Sequence, residues 1–477
     1  MARRFSQLIP VLLLAAAQGG CQQEDSVIVT INVDSEQEVS ATSGNFDGNR
    51  LDDDTDDDRF GSAIAAFGDL EADGVVDLAV GAPGDDAGGS DRGAVWILFM
   101  DSDGTVDLEE KISAGNGDFN GTLRDGDAFG SAVTGIGDLN GDAILDIAVG
   151  APGDNAAPGD DDGGSDRGAV WILFLRQDGT VRDETKISAN DGNFDGALAD
   201  GDRFGSALAV LGDLDNDGIA DLAVGAPGDD DGGTDTGAVW ILFMNPDGTV
   251  KTEQKISMDS GSLDALLHSG DAFGSAIANI DDLNLDTVSD IAVGAPGDDD
   301  GGTDTGAIWV LYLSASGRVS DEQKLSPLEG DFDGTLHAGD ALGAALANAG
   351  DLDRDGISEL LAGAPGDDDG GTDSGAAWLL FPGRNGKVNH FQKLSRLEGQ
   401  LGAALASGDR FGSAVAGIGN LDTRRATDLA VGAPLADDGD IHTDTGSFWV
   451  LFMDKVETTT ECERNALFRF FGIGNCD

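Results

Sequence analysis

Six times the chain writes a short loop in which oxygen-bearing side chains recur at fixed intervals. The third copy, "DLDNDGIAD", carries Asp213, Asp215, Asp217 and Asp221 at positions 1, 3, 5 and 9, with Gly218 at position 6. Alternate side chains of a tight turn point to one side, so the first three carboxylates converge. The glycine permits the reversal, and the ninth residue closes the ring of donors. Hard oxygen ligands in that number suit Ca²⁺ better than Mg²⁺, which demands a strict octahedron and keeps its water. No Cys or His stands in the loop, so zinc and copper are poor candidates.

The opening of this loop is similar to that of an EF-hand, although no helical pattern flanks it and the last carboxylate comes at 9 rather than 12. The other copies grade in quality. The first has Asp69, Glu71, Asp73 and Asp77, and the fifth has Asp351, Asp353, Asp355 and Glu359. The second keeps Asp138, Asn140, Asp142 and Asp146 but has Ala143 at the turn. The fourth keeps Asp282, Asn284, Asp286 and Asp290, with Thr287 there. In the sixth, Asn420, Asp422 and Asp428 survive, yet Arg424 takes position 5 and sets a fixed cation where a metal would go. The expectation is five Ca²⁺ sites and one lost.

The loops sit inside a repeat that must position them. Phe60, Phe129, Phe204, Phe273, Leu342 and Phe411 open the equivalent segments, at intervals of 69, 75, 69, 69 and 69 residues. Trp96, Trp171, Trp240, Trp309, Trp378 and Trp449 recur once per copy in "GAVWILF"-like runs. Each copy reads as four short strands: a first run of Ala, Gly and Ser, two continuously apolar runs, and a "KIS"-like run. Small side chains suit strands that crowd around an axis. Such a unit cannot bury its own faces, so its neighbours must stack on it. The pattern predicts an all-β fold, a six-bladed β-propeller with four-stranded blades. The last copy lacks the fourth run, and residues 39–45 ("VSATSGN") match it, so the N-terminal segment is expected to close the ring. Upstream, Val27, Val29, Ile31 and Val33 alternate and predict an additional edge strand.

The combination of Phe-Gly, the acidic loop and a Gly-Ala-Pro triplet beginning at Gly81, Gly150, Gly225, Gly294, Gly363 and Gly432 resembles the FG-GAP repeat of integrin α-subunit propellers. The resemblance implies Ca²⁺ in the acidic loops on one side of the propeller and ligands at the opposite face. Integrin propellers have seven blades, whereas six copies are visible here, and nothing resembling the integrin legs or membrane span follows.

Charge narrows the partners. Asp and Glu number 90 against 27 Lys and Arg, a formal net charge of −63. That balance argues against nucleic acid and anionic membrane surfaces and for cations. Five divalent ions would offset 10 of those charges, leaving −53. The second set of acidic loops, "GDDDGGTDTG" and "DFDGTLHAGD", is expected on the opposite face, either as weaker Ca²⁺ sites or as a solvated acidic surface. The tryptophans, flanked by aliphatic residues, read as core rather than as sugar-binding platforms. His268, His337, His390 and His442 share no repeat position, and no nucleophile motif is present, so no enzyme is expected.

The ends read as export signals. Arg3 and Arg4 precede an apolar run that stops at Gln18-Gly19-Gly20-Cys21, which resembles a bacterial lipobox with Gln18 where leucine is preferred. Cys462 and Cys476 are expected to pair as a disulfide, leaving Cys21 for lipidation. The expected organisation is a signal peptide at 1–20, a tether at 21–36, the propeller at 37–455 and a tail at 456–477. The expected function is Ca²⁺-dependent adhesion or recognition at the cell surface, through a surface protein or glycan. The alternatives are a lectin-like propeller and an acidic envelope protein without a specific ligand.

Overall fold

The computed structural model describes residues 27–47, 57–155, 165–399, 401–402, 405–422, 426–437 and 444–460. The chain divides into Thr30–Val456 and a second unit made of the two ends, Met1–Val29 and Glu457–Asp477. Cys21, Arg424, Cys462 and Cys476 lie outside the described residues.

Among the described residues every regular element is a strand, and the strands form six four-stranded antiparallel sheets. Blade one is the simple case: β2 (Ala63–Gly68), β3 (Asp77–Ala82), β4 (Ala94–Met100) and β5 (Val106–Ser113), paired in chain order from the axis outward. Four further blades repeat it. The sixth has the order β1-β24-β23-β22, from β1 (Val27–Ser40), β24 (Ser447–Thr460), β23 (Leu429–Ala433) and β22 (Ala414–Gly417). The first strand of the chain therefore completes the last blade. The closing strand lies further upstream than the sequence suggested, since residues 41–45 form the turn that follows it. The expected separate edge strand is the first half of this same strand.

Each strand's composition follows from its radius. The inner strands read AIAAFG, AVTGIG and ALAVLG. Just ahead of the six inner strands, Ser62, Ser131, Ser206, Ser275, Ala344 and Ser413 line an axial cavity of about 100 Å³. The next two residues in each blade reach the cavity as well, among them Ile64, Val133 and Leu208. The third strand, AVWILFM in blade one, is buried at every residue because neighbouring blades cover both of its faces. Five tryptophans on this strand are at most 7% exposed. They are core, and sugar could not stack on them.

The apolar clusters lie between blades. One joins Phe67, Val95 and Ile97 of blade one to Ile147, Trp171 and Leu173 of blade two. Another joins Phe60, Trp96 and Leu98 of blade one to Phe448 and Val450 of blade six, with Val39 of β1. Each such side chain gains about 1.5–3 kcal/mol on burial, which only a neighbouring blade makes available. The ring is sealed by backbone as well, where Phe60 N–H donates to the Thr445 carbonyl at 3.0 Å.

Candidate metal centres

The nine-residue loops join the inner strand to the second strand, and all five expected sites fold alike. The position-1 carboxylate is a turn cap: Asp69 accepts from the N–H of Asp73 and Gly74 at 2.9 and 2.8 Å. Asp213 does the same for Asp217 and Gly218, both at 2.8 Å. The residue at position 6 is left-handed throughout, with φ of +98° at Gly74 and +94° at Gly218. Ala143 and Thr287 adopt the same turn at +70° and +76°, a conformation costing about 1 kcal/mol or more for a residue with a Cβ. The turn geometry outlives its glycine.

Position 9 is different in kind. Asp77 is fully buried; it accepts from Leu70 N–H at 2.8 Å and from Met100 N–H, at the end of β4, at 3.2 Å. Asp146, Asp221 and Asp290 repeat both bonds. Asp428 repeats them in blade six, where the loop sequence has decayed. This carboxylate staples the loop to the third strand whether or not a metal is ligated. Burial pushes the Asp146, Asp221, Asp290 and Asp428 carboxyls up to about 6. Burial together with Glu71 pushes Asp77 to about 8, and burial pushes Glu359 to about 8. Such groups keep their proton to higher pH than an exposed carboxyl, and a bound cation would favour their charged form.

Three of the loops bring acidic groups together. In blade five Asp351, Asp353, Asp355 and Glu359 each offer an oxygen within 4.8 Å of the others. Blade one gathers Asp69, Glu71 and Asp77, and blade three gathers Asp213, Asp215 and Asp221, within the same radius. Asp73 and Asp217 stand outside those groups. Blades two and four, with Asn140 and Asn284 at position 3, do not form a triad of carboxylates at that distance. In these two, Asp142 accepts an ion pair from Arg182, and Asn284 Nδ2 donates to Asp286 at 3.2 Å. The donor chemistry is all oxygen, partly buried and crowded with negative charge, which fits a hard divalent cation.

The opposite face pairs some of its acid with lysine. There the loop between the second and third strands buries its first aspartate against a lysine of the outer strand. Lys324 Nζ lies 2.7 Å from Asp298 and 2.8 Å from Asp300, and Lys393 lies 2.6 and 2.7 Å from Asp367 and Asp369. Lys255 pairs with Asp229 and Asp231 at 2.5 and 2.7 Å, Lys186 with Asp154 at 2.6 Å, and Lys111 with Asp85. In register each lysine lies directly across from its blade's tryptophan, as Trp309 does from Lys324. The ammonium groups stand 5.3–5.5 Å from the indole centres. Although burial works against it, the hydrogen bonds that its ammonium donates to the two carboxylates hold the Lys324 pKa above the usual range. Sequence reasoning passed over these lysines; the signal was the invariant Lys of each "KIS" or "KLS" run. Where the closing strand supplies blade six, the matching run is Glu38-Val39-Ser40, and Ala436 stands in place of the first loop aspartate.

A ring of small-residue inner strands, inter-blade cores and one acidic loop per blade defines a β-propeller of integrin-like repeats. The family model for the FG-GAP repeat matches residues 60–98, 129–173, 204–242, 273–311 and 342–380, so five of the six blades are FG-GAP repeats. Integrin alpha-PS5 of Drosophila melanogaster is 34% identical over 172 residues, 36% of this chain and 15% of that protein. Integrin alpha-3 of Cricetulus griseus is 34% identical over 202 residues, 42% of this chain and 17% of that one. Phosphatidylinositol-glycan-specific phospholipase D of Rattus norvegicus is 36% identical over 193 residues, 39% and 21% of the two chains. The matched region is thus about a fifth or less of each of these relatives.

Proposed function

We propose that the chain is a Ca²⁺-stabilised propeller that presents the loops of its opposite face for adhesion or recognition at a cell surface. The observation that carries the metal reading is the convergence of carboxylate oxygens within 4.8 Å in blades one, three and five. Asp351, Asp353, Asp355 and Glu359 form the fullest donor set, followed by the sets of Asp69 and Asp213; those of Asp138 and Asp282 complete the five. A bound ion replaces repulsion among the donors with ligation and so couples folding of the loop to metal. Binding rather than catalysis is supported by the similarity to integrin α subunits. Export, lipidation at Cys21 and a Cys462–Cys476 disulfide belong to the same proposal, as does a surface protein or glycan as partner.

The first experiment is elemental analysis of bound Ca²⁺ per chain, with melts in EDTA, Ca²⁺ and Mg²⁺. Bound Ca²⁺ and a melt restored by Ca²⁺ but poorly by Mg²⁺ is the expected result. Stability that follows ionic strength alone, with no bound ion, would favour the cation-stabilised envelope protein that the net charge of −63 also suits. Recognition is tested by binding the whole protein to arrays of surface proteins and glycans in Ca²⁺ and in EDTA.

A further inference from the structure

Blade three sets an ammonium group among its carboxylates, whereas in blade five the nearby Arg384 donates to the Gly356 carbonyl at 3.4 Å and not to a carboxylate. Lys251 is the second residue of its outer strand β13 (Val250–Ile256), whose start lies beside the nine-residue loop. Its Nζ lies 2.6 Å from Asp215 and 2.5 Å from Asp217. Blade two repeats the arrangement from the same strand position, where Arg182 of β9 (Val181–Ile187) pairs with Asp142. The equivalent residues of blades one, four and five are Asp107, Ser320 and Asn389, none of them cationic. Among the described residues, no Lys or Arg ion pair reaches the blade-one donors or the blade-five donors.

We propose that the second residue of the outer strand is a built-in competitor for metal, with Lys251 and Arg182 acting as tethered cations in the acidic loops of their own blades. The inference rests on the metal reading above and adds an order to it: blades one and five fill first, and blade three fills only as Lys251 is displaced. The ammonium holds Asp215 and Asp217 together when Ca²⁺ is scarce, so this loop keeps its shape without metal. Lys251 carries one charge on a flexible, part-exposed stem, and exposed ion pairs are weak. Displacing it therefore costs a divalent ion up to roughly fivefold in affinity.

The test is a Ca²⁺ titration of the whole protein read by hydrogen–deuterium exchange, following peptides that cover residues 69–77, 213–221 and 351–359. In the wild type the blade-three loop should gain protection at up to about fivefold higher Ca²⁺ than the blade-five loop. Lys251→Met should bring the two midpoints together and leave blades one and five unchanged. The reciprocal Asn389→Lys should raise the blade-five midpoint by a similar factor. A blade-three midpoint that stays put in Lys251→Met overturns the competitor role while the metal reading stands. Unfolding of Lys251→Met in excess Ca²⁺ would make Lys251 a structural strut and overturn it too. If no loop in the wild type gains protection from Ca²⁺, both readings fall.

Discussion

Gly81 and Gly130 meet across the junction of blades one and two: a Cβ on Gly81 would lie 1.9 Å from the Gly130 carbonyl oxygen. Gly130 also donates its own N–H to Gly150 of its blade at 3.0 Å, so the glycine of Phe-Gly and the glycine of Gly-Ala-Pro form one contact chain. Gly225 and Gly274 repeat the approach at 1.9 Å, and Gly432 and Gly61 do so at 2.1 Å where blade six meets blade one. Neither motif is about metal; both are about how closely adjacent blades can pack.

Gly225→Ala tests this directly. Gly225 is not left-handed, so the penalty is steric alone, and the obstacle is backbone that cannot swing aside. A loss of about 3 kcal/mol, at the upper end for overpacking, is expected in urea denaturation with and without Ca²⁺. A change below 0.5 kcal/mol would mean the junction yields easily.

Glu359 and Asp428 separate ligation from stapling. Glutamine at 359 or asparagine at 428 keeps an acceptor for the loop N–H groups but removes a buried charge. In EDTA both variants should be neutral or slightly stabilised. In Ca²⁺ at about a hundred times the Kd, only Glu359→Gln should lose stability, by about 2–3 kcal/mol, because only its loop holds a full donor set. Equal melting shifts for the two variants in Ca²⁺ would contradict the assignment of blade five as a metal site.

Lys324 is only 8% exposed and bridges two aspartates beside Trp309. Replacing it with Met leaves Asp298 buried beside Asp300 without a counter-charge. Loss of one partner of such a buried pair costs about 3–5 kcal/mol. Chemical denaturation should show that loss, and added Ca²⁺ should not restore it. Restoration by Ca²⁺ would turn the opposite-face loops into metal sites after all.

The buried carboxylates give the metal-free protein an unusual pH dependence. Asp127, Asp202 and the position-9 groups have folded values raised to about 6 or about 8. Between the ordinary carboxylate range and those values the folded state binds more protons than the unfolded one, so stability falls as pH rises. Below that range Asp231, Asp300 and Asp369, held low against their burial by lysine and serine, begin to lose their pairs. In EDTA the melting temperature should therefore be several degrees higher near pH 5.5 than near pH 7.5. Excess Ca²⁺ should reverse the order, since protons and metal compete for the same oxygens. Melts at both pH values in both media check the sign.

Much of this architecture was legible because the sequence states it six times. The small-residue run, the two apolar runs and the acidic loop each have a local physical cause: crowding at the axis, cover on both faces, and converging oxygens. The start of the closing strand was not legible, because Val27, Val29, Ile31 and Val33 alternate like any edge strand and only pairing with β24 tells them apart. Nor was the double use of Asp77 and its equivalents, whose second bond goes to Met100, far along the chain and adjacent only after the sheet forms.

By itself, then, the sequence determined the repeat, the number of blades and where the oxygen donors fall, since each depends on side-chain size and spacing within a few residues. The tertiary structure alone decided which carboxylates are spoken for. Lys324 takes Asp298 and Asp300, Lys251 takes Asp215 and Asp217, and among the described residues Asp351 and its neighbours converge with no lysine or arginine ion pair. Charge pairing depends on which strand lies beside which loop, and that adjacency exists only once the blades have folded.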